Sequence, residues 1–367
     1  MADYSQGMCS KILFLVPYPV GESPSQRFRF EQYFQILKEN GFEFRIQSFL
    51  TSKNWRIFYE KGKGLNKSLT MVNGFTRRFL ILFHIPFYNF IFIHRELCPV
   101  GPPVFEWIIS HVFLKKIIYD FDDAIWLTDN QNESWLTGVI RWRSKVSSIC
   151  RWAYKVSCGN DYLQAYAAQF TSHAVYNPTT IETEHWHNPT RFPASENKTQ
   201  IRIGWTGSHS TLKYLNEIEP LLLRVNRDYP TVSFVVIANR KPELSVPTIE
   251  FIPWNEQTEI TDLLSIDIGL MPLPDDEWTK GKCGFKALQY MALQIPCIAS
   301  PVGVNIKIIQ HGVNGFLCRQ EDGWFETLAT LIENKLLRER IGMEGRKTVV
   351  NRYSVFSNTP VFLSLFS

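Results

Sequence analysis

Two stretches of the chain gather residue types suited to holding an anion. In the first, Gly204-Trp205-Thr206-Gly207-Ser208-His209-Ser210-Thr211 runs into a segment carrying Lys213. Glycines let the backbone turn tightly, and the N–H groups of a following helix N-terminus, with its dipole, attract a phosphate. A plain tight turn with Ser and Thr caps accounts for the same residues. In the second, an apolar strand ends at Pro272, an acidic loop follows, and Lys280, Gly281, Lys282, Gly284 and Lys286 crowd the start of a helix. Lysines at a helix N-terminus oppose the macrodipole, so an anionic partner is a physical reason to gather them there. A solvated basic turn is the alternative.

Four smaller groupings carry further chemistry. Gly21 to Arg29 (GESPSQRFR) offers Arg27 and Arg29, whose guanidiniums can hold an anion in bidentate fashion or stand exposed on a helix. His94-Arg95-Glu96 ends an apolar strand and offers a pocket-facing charge pair beside a histidine that could equally be structural. In Asp120-Phe121-Asp122-Asp123 the strand period of two sends Asp120 and Asp122 to one face. Such a pair could hold a divalent cation, touch a ligand or cap a loop. Asn160 and Asp161 follow another strand, where N-capping competes with a place in a cleft. Gly345-Arg346-Lys347-Thr348 lacks the upstream glycine of a P-loop, and His185 with His187 lacks a third nearby ligand for zinc.

The elements that must position these residues alternate. Apolar β-branched or aromatic runs at Lys11 to Pro17, Phe44 to Phe49, Asn89 to His94, Ile117 to Asp120, Lys155 to Cys158 and Ala174 to Tyr176 read as buried strands. Segments of helical period fall near 103–115, 136–153 and 160–169, and Phe30, Tyr33, Phe34 and Leu37 trace an apolar helix face that Gly41 stops. From Asn177 to Gln200 the text turns Pro-, Thr-, Asn- and His-rich without period, as a boundary does. A second set follows, with strands at Ile201 to Trp205, Ser233 to Ala238, Ile249 to Ile252, Ile266 to Met271 and Cys297 to Ser300. Helices are expected at 211–227, 258–265, 283–293 and 322–351. This is the pattern of stacked βαβ units on parallel sheets, in two α/β halves with ligands expected at the carboxyl ends of the strands.

Composition narrows the classes. The chain has 367 residues, 45% hydrophobic and 20% charged, which excludes wholesale disorder and fibrous architecture and fits two domains. A net charge of +4 is too small for a nucleic-acid footprint. Seven scattered cysteines without a C-x-x-C pair argue against a disulfide framework or zinc site and for a reducing compartment. MADYSQGMCS has neither a basic n-region nor an apolar h-region, so no signal peptide is expected. The stretch Phe79 to Ile93 holds His84, Pro86 and Asn89 and falls short of the roughly 20 apolar residues of a bilayer span. Behind Arg77 and Arg78 it reads as a core helix end plus a buried strand, or as a segment lying on an anionic membrane surface.

The lysine-rich segment also resembles the donor-binding signature of the retaining glycosyltransferases of family 4, the group 1 glycosyltransferases, and the resemblance extends over nearly the whole chain. Gln289-Tyr290-Met291-Ala292 and Ile295-Pro296-Cys297-Ile298-Ala299-Ser300 match the end of that signature, Ile203-Gly204-Trp205-Thr206-Gly207-Ser208 matches the first loop of its C-terminal domain, and Asn177 to Glu184 matches its interdomain crossover. The family's two donor-segment glutamates fall on Gly281 and Gln289, and its loop arginine falls on Trp205.

The resemblance implies an α/β chain of GT-B architecture, two Rossmann-like domains with parallel sheets facing across a cleft. Residues 1–180 would bind acceptor, 181–200 link, 201–350 bind the nucleotide-sugar donor, and 351–367 return to the first domain. It implies a hexosyltransferase-like, retaining, metal-independent enzyme with no cofactor beyond a UDP- or GDP-sugar co-substrate. The acceptor would be a carbohydrate or lipid-linked carbohydrate in cell-surface polysaccharide or glycolipid synthesis. The setting would be the cytoplasm, at the inner face of the cytoplasmic membrane with peripheral contact, and without nucleic acid. Carried onto this chain, the catalytic residues are Asp122, near the position of a sugar-contacting histidine, and Lys286. Donor-binding positions are Gly207, Ser208, Lys213, Lys282, Gly284, Phe285, Lys286 and Gln289, and acceptor-binding positions are Arg27, Arg29, Arg95 and Glu96. With Gly281 and Gln289 in the glutamate positions, front-face substitution is expected. A nucleotide-sugar epimerase of similar architecture and a non-catalytic nucleotide-sugar-binding subunit are the alternatives.

Overall fold

The computed structural model describes residues 10–59, 62, 64–129, 133–192 and 200–367. The opening MADYSQGMC, with Cys9 and most of the stretch read for a signal peptide, and residues 193–199 of the expected linker lie outside them. The chain divides into two units, Met1–Thr179 with Thr359–Ser367, and Thr180–Asn358.

In the first unit β1 (Lys11–Val16), β2 (Glu43–Ser48), β3 (Phe90–His94), β4 (Lys116–Phe121), β5 (Lys155–Cys158) and β6 (Ala174–Tyr176) form one parallel sheet in the order β2-β1-β3-β4-β5-β6. Parallel strands flanked by helices are buried on both faces, which is why β1, β3 and β4 are nearly continuous apolar runs rather than alternating ones. Phe14 of β1 packs 5.4 Å from Phe30 and 4.9 Å from Phe92, centring the core on the helix face that follows β1. The C-terminal residues belong here: Phe362 stacks on Tyr33 with ring centroids 4.1 Å apart.

In the second unit β7 (Arg202–Gly207), β8 (Ser233–Ala238), β9 (Ile249–Pro253), β10 (Ile268–Met271), β11 (Cys297–Ala299) and β12 (Phe316–Leu317) form a second parallel sheet in the order β12-β11-β10-β7-β8-β9. Ile203, Phe234, Val236 and Leu270 of the strands meet Leu222, Val225 and Leu328 of the covering helices in its core. In each sheet the order reverses once, between β1 and β3 and between β7 and β10. A crevice opens at such switch points beyond the strands' carboxyl ends.

The helices depart from their expected lengths at identifiable residues. The span 136–153 is two helices, Trp135–Arg141 and Lys145–Trp152, parted at Trp142 in the left-handed region (φ 50°). The span 322–351 is broken at Asn334, whose side chain caps the helix Lys335–Arg352 by accepting from Leu337 N–H at 2.9 Å. The span 103–115 is a short helix, Val104–Trp107, followed by a wider π turn over Ile108–Val112 and by Leu114 at φ 52°. The helix end expected behind Arg77 and Arg78 closes a long helix, Gly64–Ile81, whose earlier turns lie outside the expected helices. Of Phe79 to Ile93, the first residues end that helix, Leu82–Phe87 is a 3₁₀ segment and the rest is β3. Among the described residues no helix is long and apolar enough to cross a membrane. Cys98 and Cys150 are buried thiols, each pushed up to about 12 by burial and so poor nucleophiles at neutral pH.

Candidate functional site

The second unit builds its anion-seeking groups around the β7–β10 switch point. Tyr290, on the helix Phe285–Ala292, does the positioning. Its hydroxyl accepts the Thr206 N–H of β7 at 2.9 Å, and its ring lies where a Cβ on Gly269 of β10 would meet it at 2.5 Å. Only glycine at 269 lets this helix sit across the two strands. One turn earlier on the same helix, Lys286 points its ammonium at the face of Trp205, 5.3 Å from the ring centre. The far edge of that ring fills the space beside Gly207, where an added Cβ would come within 2.4 Å of it. The helix N-terminus is set by Gly284 at φ 71°, and a Cβ there would meet Ile308 at 2.3 Å. Phe285 and Lys286 are its first two residues.

The other lysines divide. Lys282 lies 4.9 Å over the Trp278 ring, while Lys280 pairs with Glu277 at 2.7 Å on the surface. That short turn begins with a capping box, Asp276 accepting from the Thr279 N–H at 2.7 Å. Ser208 is exposed and its carbonyl accepts from Thr211 N–H and Oγ1, each at 3.0 Å, while Asn239 at the end of β8 accepts the His209 N–H at 2.7 Å and pins the loop. Lys213, exposed on the next helix, lies 5.2 Å from the Tyr214 ring centre. Gln289 is buried, and its amide nitrogen meets Glu259 Oε1 at 3.2 Å and His187 Nε2 at 3.3 Å. A cavity of about 310 Å³ opens near the ends of β10 and β11, lined by Glu217, Pro272, Leu273, Asp275, Ser300 and Arg319 among others, and none of the lysines just described lines it.

In the first unit the expected groups form two clusters. The fully buried Asp120 accepts from Arg29, from Ser157 Oγ at 2.6 Å and shares a 2.8 Å hydrogen bond with His94 Nδ1. Arg29 also donates to the Asn177 carbonyl. Burial alone would raise the Asp120 carboxyl, but the Arg29 charge and the His94 hydrogen bond outweigh it and hold the group well below the usual carboxylate range. His94 Nε2 lies 3.3 Å from Ser25 Oγ, completing a file from Ser25 through His94 to Asp120.

Asp122 lies outside that file. The expectation of two carboxylates on one face does not hold, because β4 ends at Phe121 and the chain turns there. Asp122 and Asp123 instead clasp Arg95 at 2.7 and 2.6 Å, and Arg95 itself takes φ 60°. Burial works against the Arg95 charge, the two aspartates outweigh it, and its pKa is raised. Glu96 pairs with Lys145 at 2.6 Å, and Arg27 lies 5.1 Å over the Phe28 ring.

Four roles around these groups were not read in the sequence: Trp205 and Tyr290 as platforms, and Glu259 and His187 as partners of Gln289. Trp205 and Tyr290 lay inside the matched motifs. Glu259, and His187, which was weighed only as a zinc ligand, are joined to Gln289 by long-range contacts.

Residues 201–334 match the family described as Glycosyl transferases group 1. A curated relative, N-acetyl-alpha-D-glucosaminyl L-malate synthase of Bacillus anthracis, is 28% identical over 100 residues, 27% of this chain. That matched segment spans only 25% of the relative's own length. Among solved structures, sucrose-phosphate synthase from Thermosynechococcus elongatus superposes with a TM-score of 0.69 at 13% identity, covering 97% of this chain and 98% of that one. The Anabaena protein HepE, solved in complex with UDP and glucose, gives 0.66 at 13% identity, covering 97% and 99%. The fold is thus GT-B, and residues 201–334 of the second unit are similar to the group 1 glycosyltransferases.

Proposed function

We propose that this chain is a retaining glycosyltransferase that moves a sugar from a UDP- or GDP-sugar to a hydroxyl of a carbohydrate or lipid-linked acceptor, without a metal ion or other cofactor. The observation that carries the reading is Lys286 held over β7 beside the Gly207 loop, within the segment that matches the group 1 family. Lysines and helix N–H groups preorganised around a diphosphate stabilise the charge that grows on it as it leaves. Lys286 would take that role, with Lys213 and Lys282 flanking, Gly207, Ser208, Gly284 and Phe285 supplying backbone, and the Gln289 carbonyl facing the ribose. Asp122 would contact the sugar, and Arg27, Arg95 and Glu96 the acceptor. Arg29 would act through the Asp120 cluster in which it is buried.

Gly281 supplies no carboxylate nucleophile, so the substitution would occur on one face of the sugar. The bond from C1 to the phosphate oxygen breaks, the bond from C1 to the acceptor oxygen forms, and the acceptor proton passes to the departing phosphate. Cell-surface polysaccharide or glycolipid assembly at the cytoplasmic membrane is the setting this chemistry suits.

Calorimetric titration with UDP and with GDP in EDTA, then with the matching sugar nucleotides, tests the reading. Saturable metal-free binding of one of them is expected. Binding only after magnesium or manganese is added would overturn metal independence, and no binding in either condition would overturn the donor site. The engagement of Gln289 with Glu259 and His187 favours one second reading, a subunit that binds nucleotide-sugar without turnover. Tight binding with no nucleotide release across an acceptor panel would favour it.

A further inference from the structure

The helix Gly64–Ile81 faces the wrong way for an ordinary amphipathic helix. At 100° per residue, Leu65, Leu69, Val72 and Phe79 fall within an arc of about 80°, and all four are exposed, Leu65 at 82%. The opposite face, Thr70, Gly74, Arg78 and Ile81, is the buried one. Arg78 anchors it, donating to the carbonyls of Val16, Gln47 and Leu97 at 2.7 to 3.0 Å, and Gly74 lets the helix close on the Phe49 ring, which a Cβ would meet at 2.4 Å.

The apolar face continues past the helix end. Phe83, 66% exposed, sits edge-on to Phe79 with centroids 5.9 Å apart, and Phe87 is 72% exposed. Lys115 donates to the Pro86 carbonyl at 2.8 Å, which brings Leu114, 80% exposed, alongside. An apolar surface that winds across several elements exceeds the scattered exposed residues of an ordinary soluble face.

Charge selects the occupant. Between residues 64 and 119 the sequence has six Lys and Arg against two acids, Glu96 and Glu106. Arg78 is buried and Arg95 is clasped by Asp122 and Asp123, which leaves Lys67, Arg77, Lys115 and Lys116. Glu106 is buried and Glu96 is paired with Lys145. A second copy would bring like charge to like. We infer that this face lies on an anionic lipid bilayer, with Phe79, Phe83, Phe87 and Leu114 entering the interface and Lys67, Arg77, Lys115 and Lys116 drawn to the headgroups. The inference does not depend on the proposed transfer reaction, since neither donor nor acceptor takes part.

Vesicle flotation of the full chain tests it, comparing phosphatidylcholine vesicles with vesicles containing phosphatidylglycerol. Binding to the anionic vesicles that weakens with salt is expected. The exposed double substitution Phe83→Ser with Phe87→Ser should lower it by about tenfold or more with an unchanged thermal melt. Leu65→Ser with Leu69→Ser, away from the aromatic cluster, is a second variant expected to weaken binding. Failure to bind anionic vesicles, or equal binding by wild type and both variants, would overturn the inference. So would a dimer in solution that the same substitutions dissolve while vesicles remain unbound.

Discussion

The Lys286 ammonium lies 5.3 Å from the centre of the Trp205 ring, and that ring is 2% exposed. Trp205 stands where the resembling family carries an arginine. On that resemblance an aromatic ring stands in place of a second cation, and it orients Lys286 without repelling it. Lys286→Met should weaken UDP or GDP binding by about 1.5–3 kcal/mol, the range for a charge-assisted contact, with little loss of thermal stability. Titration calorimetry checks it, and unchanged affinity would remove Lys286 from the diphosphate.

Gln289 stands where the resembling family carries a glutamate, and its surroundings explain why glutamate is unwelcome. Its amide nitrogen donates to Glu259 at 3.2 Å in a buried setting. Gln289→Glu would set two carboxylates side by side where one must then hold a proton. A carboxyl kept protonated by its neighbour destabilises the fold as pH rises. The variant is expected to melt closer to wild type at pH 5 than at pH 8, and an equal deficit at both values would contradict the repulsion.

The Arg29–Asp120 pair gives the first unit a different pH dependence. The Asp120 carboxyl lies below its ordinary range, so its contribution is present above about pH 4 and is lost as pH falls toward the lower folded value. Asp120→Asn leaves Arg29 buried without its counter-charge and should cost about 3–5 kcal/mol near neutral pH. Urea unfolding at several pH values should show wild type and variant converging below about pH 4. A gap that persists unchanged into acid would sink the assignment.

The alternation of buried strands and helical segments made the doubly wound architecture legible, because parallel strands read as continuous apolar runs such as Lys11–Val16 and Ile268–Met271. Helix ends were less legible. Periodicity follows the apolar spacing through 136–153 and 322–351 but does not register the left-handed Trp142 or the capping role of Asn334. β12 is two residues long, too short to show a period. At the site, lysines and glycines stood out by type and spacing. Their partners did not, since His187 is 102 residues from Gln289 and Tyr290 is 84 from Thr206. Asp120 and Asp122 show the same limit in reverse: their spacing suggested a pair, and the strand end between them sends one to Arg29 and the other to Arg95.

Two helical glycines of the second unit test the packing behind the helix Phe285–Ala292, because the same substitution should act with opposite signs. An added Cβ on Gly342 would stand 2.0 Å from the Gln294 carbonyl oxygen, a backbone atom just past the helix that carries Lys286 and Gln289. Gln294 is already at φ 61°, so the turn has little room to yield. On Gly323, in the helix Glu321–Glu333, a Cβ meets nothing within 4 Å. Alanine favours a helix over glycine by about 0.5–1 kcal/mol, and Gly323→Ala should gain up to that amount. Gly342→Ala should lose about 1–3 kcal/mol net, as overpacking does, and, on the proposed donor site, should weaken nucleotide binding by displacing the helix Phe285–Ala292. Denaturant melts with a UDP titration of each variant check both, and a stabilised Gly342→Ala would mean the helix Lys335–Arg352 does not press on that turn.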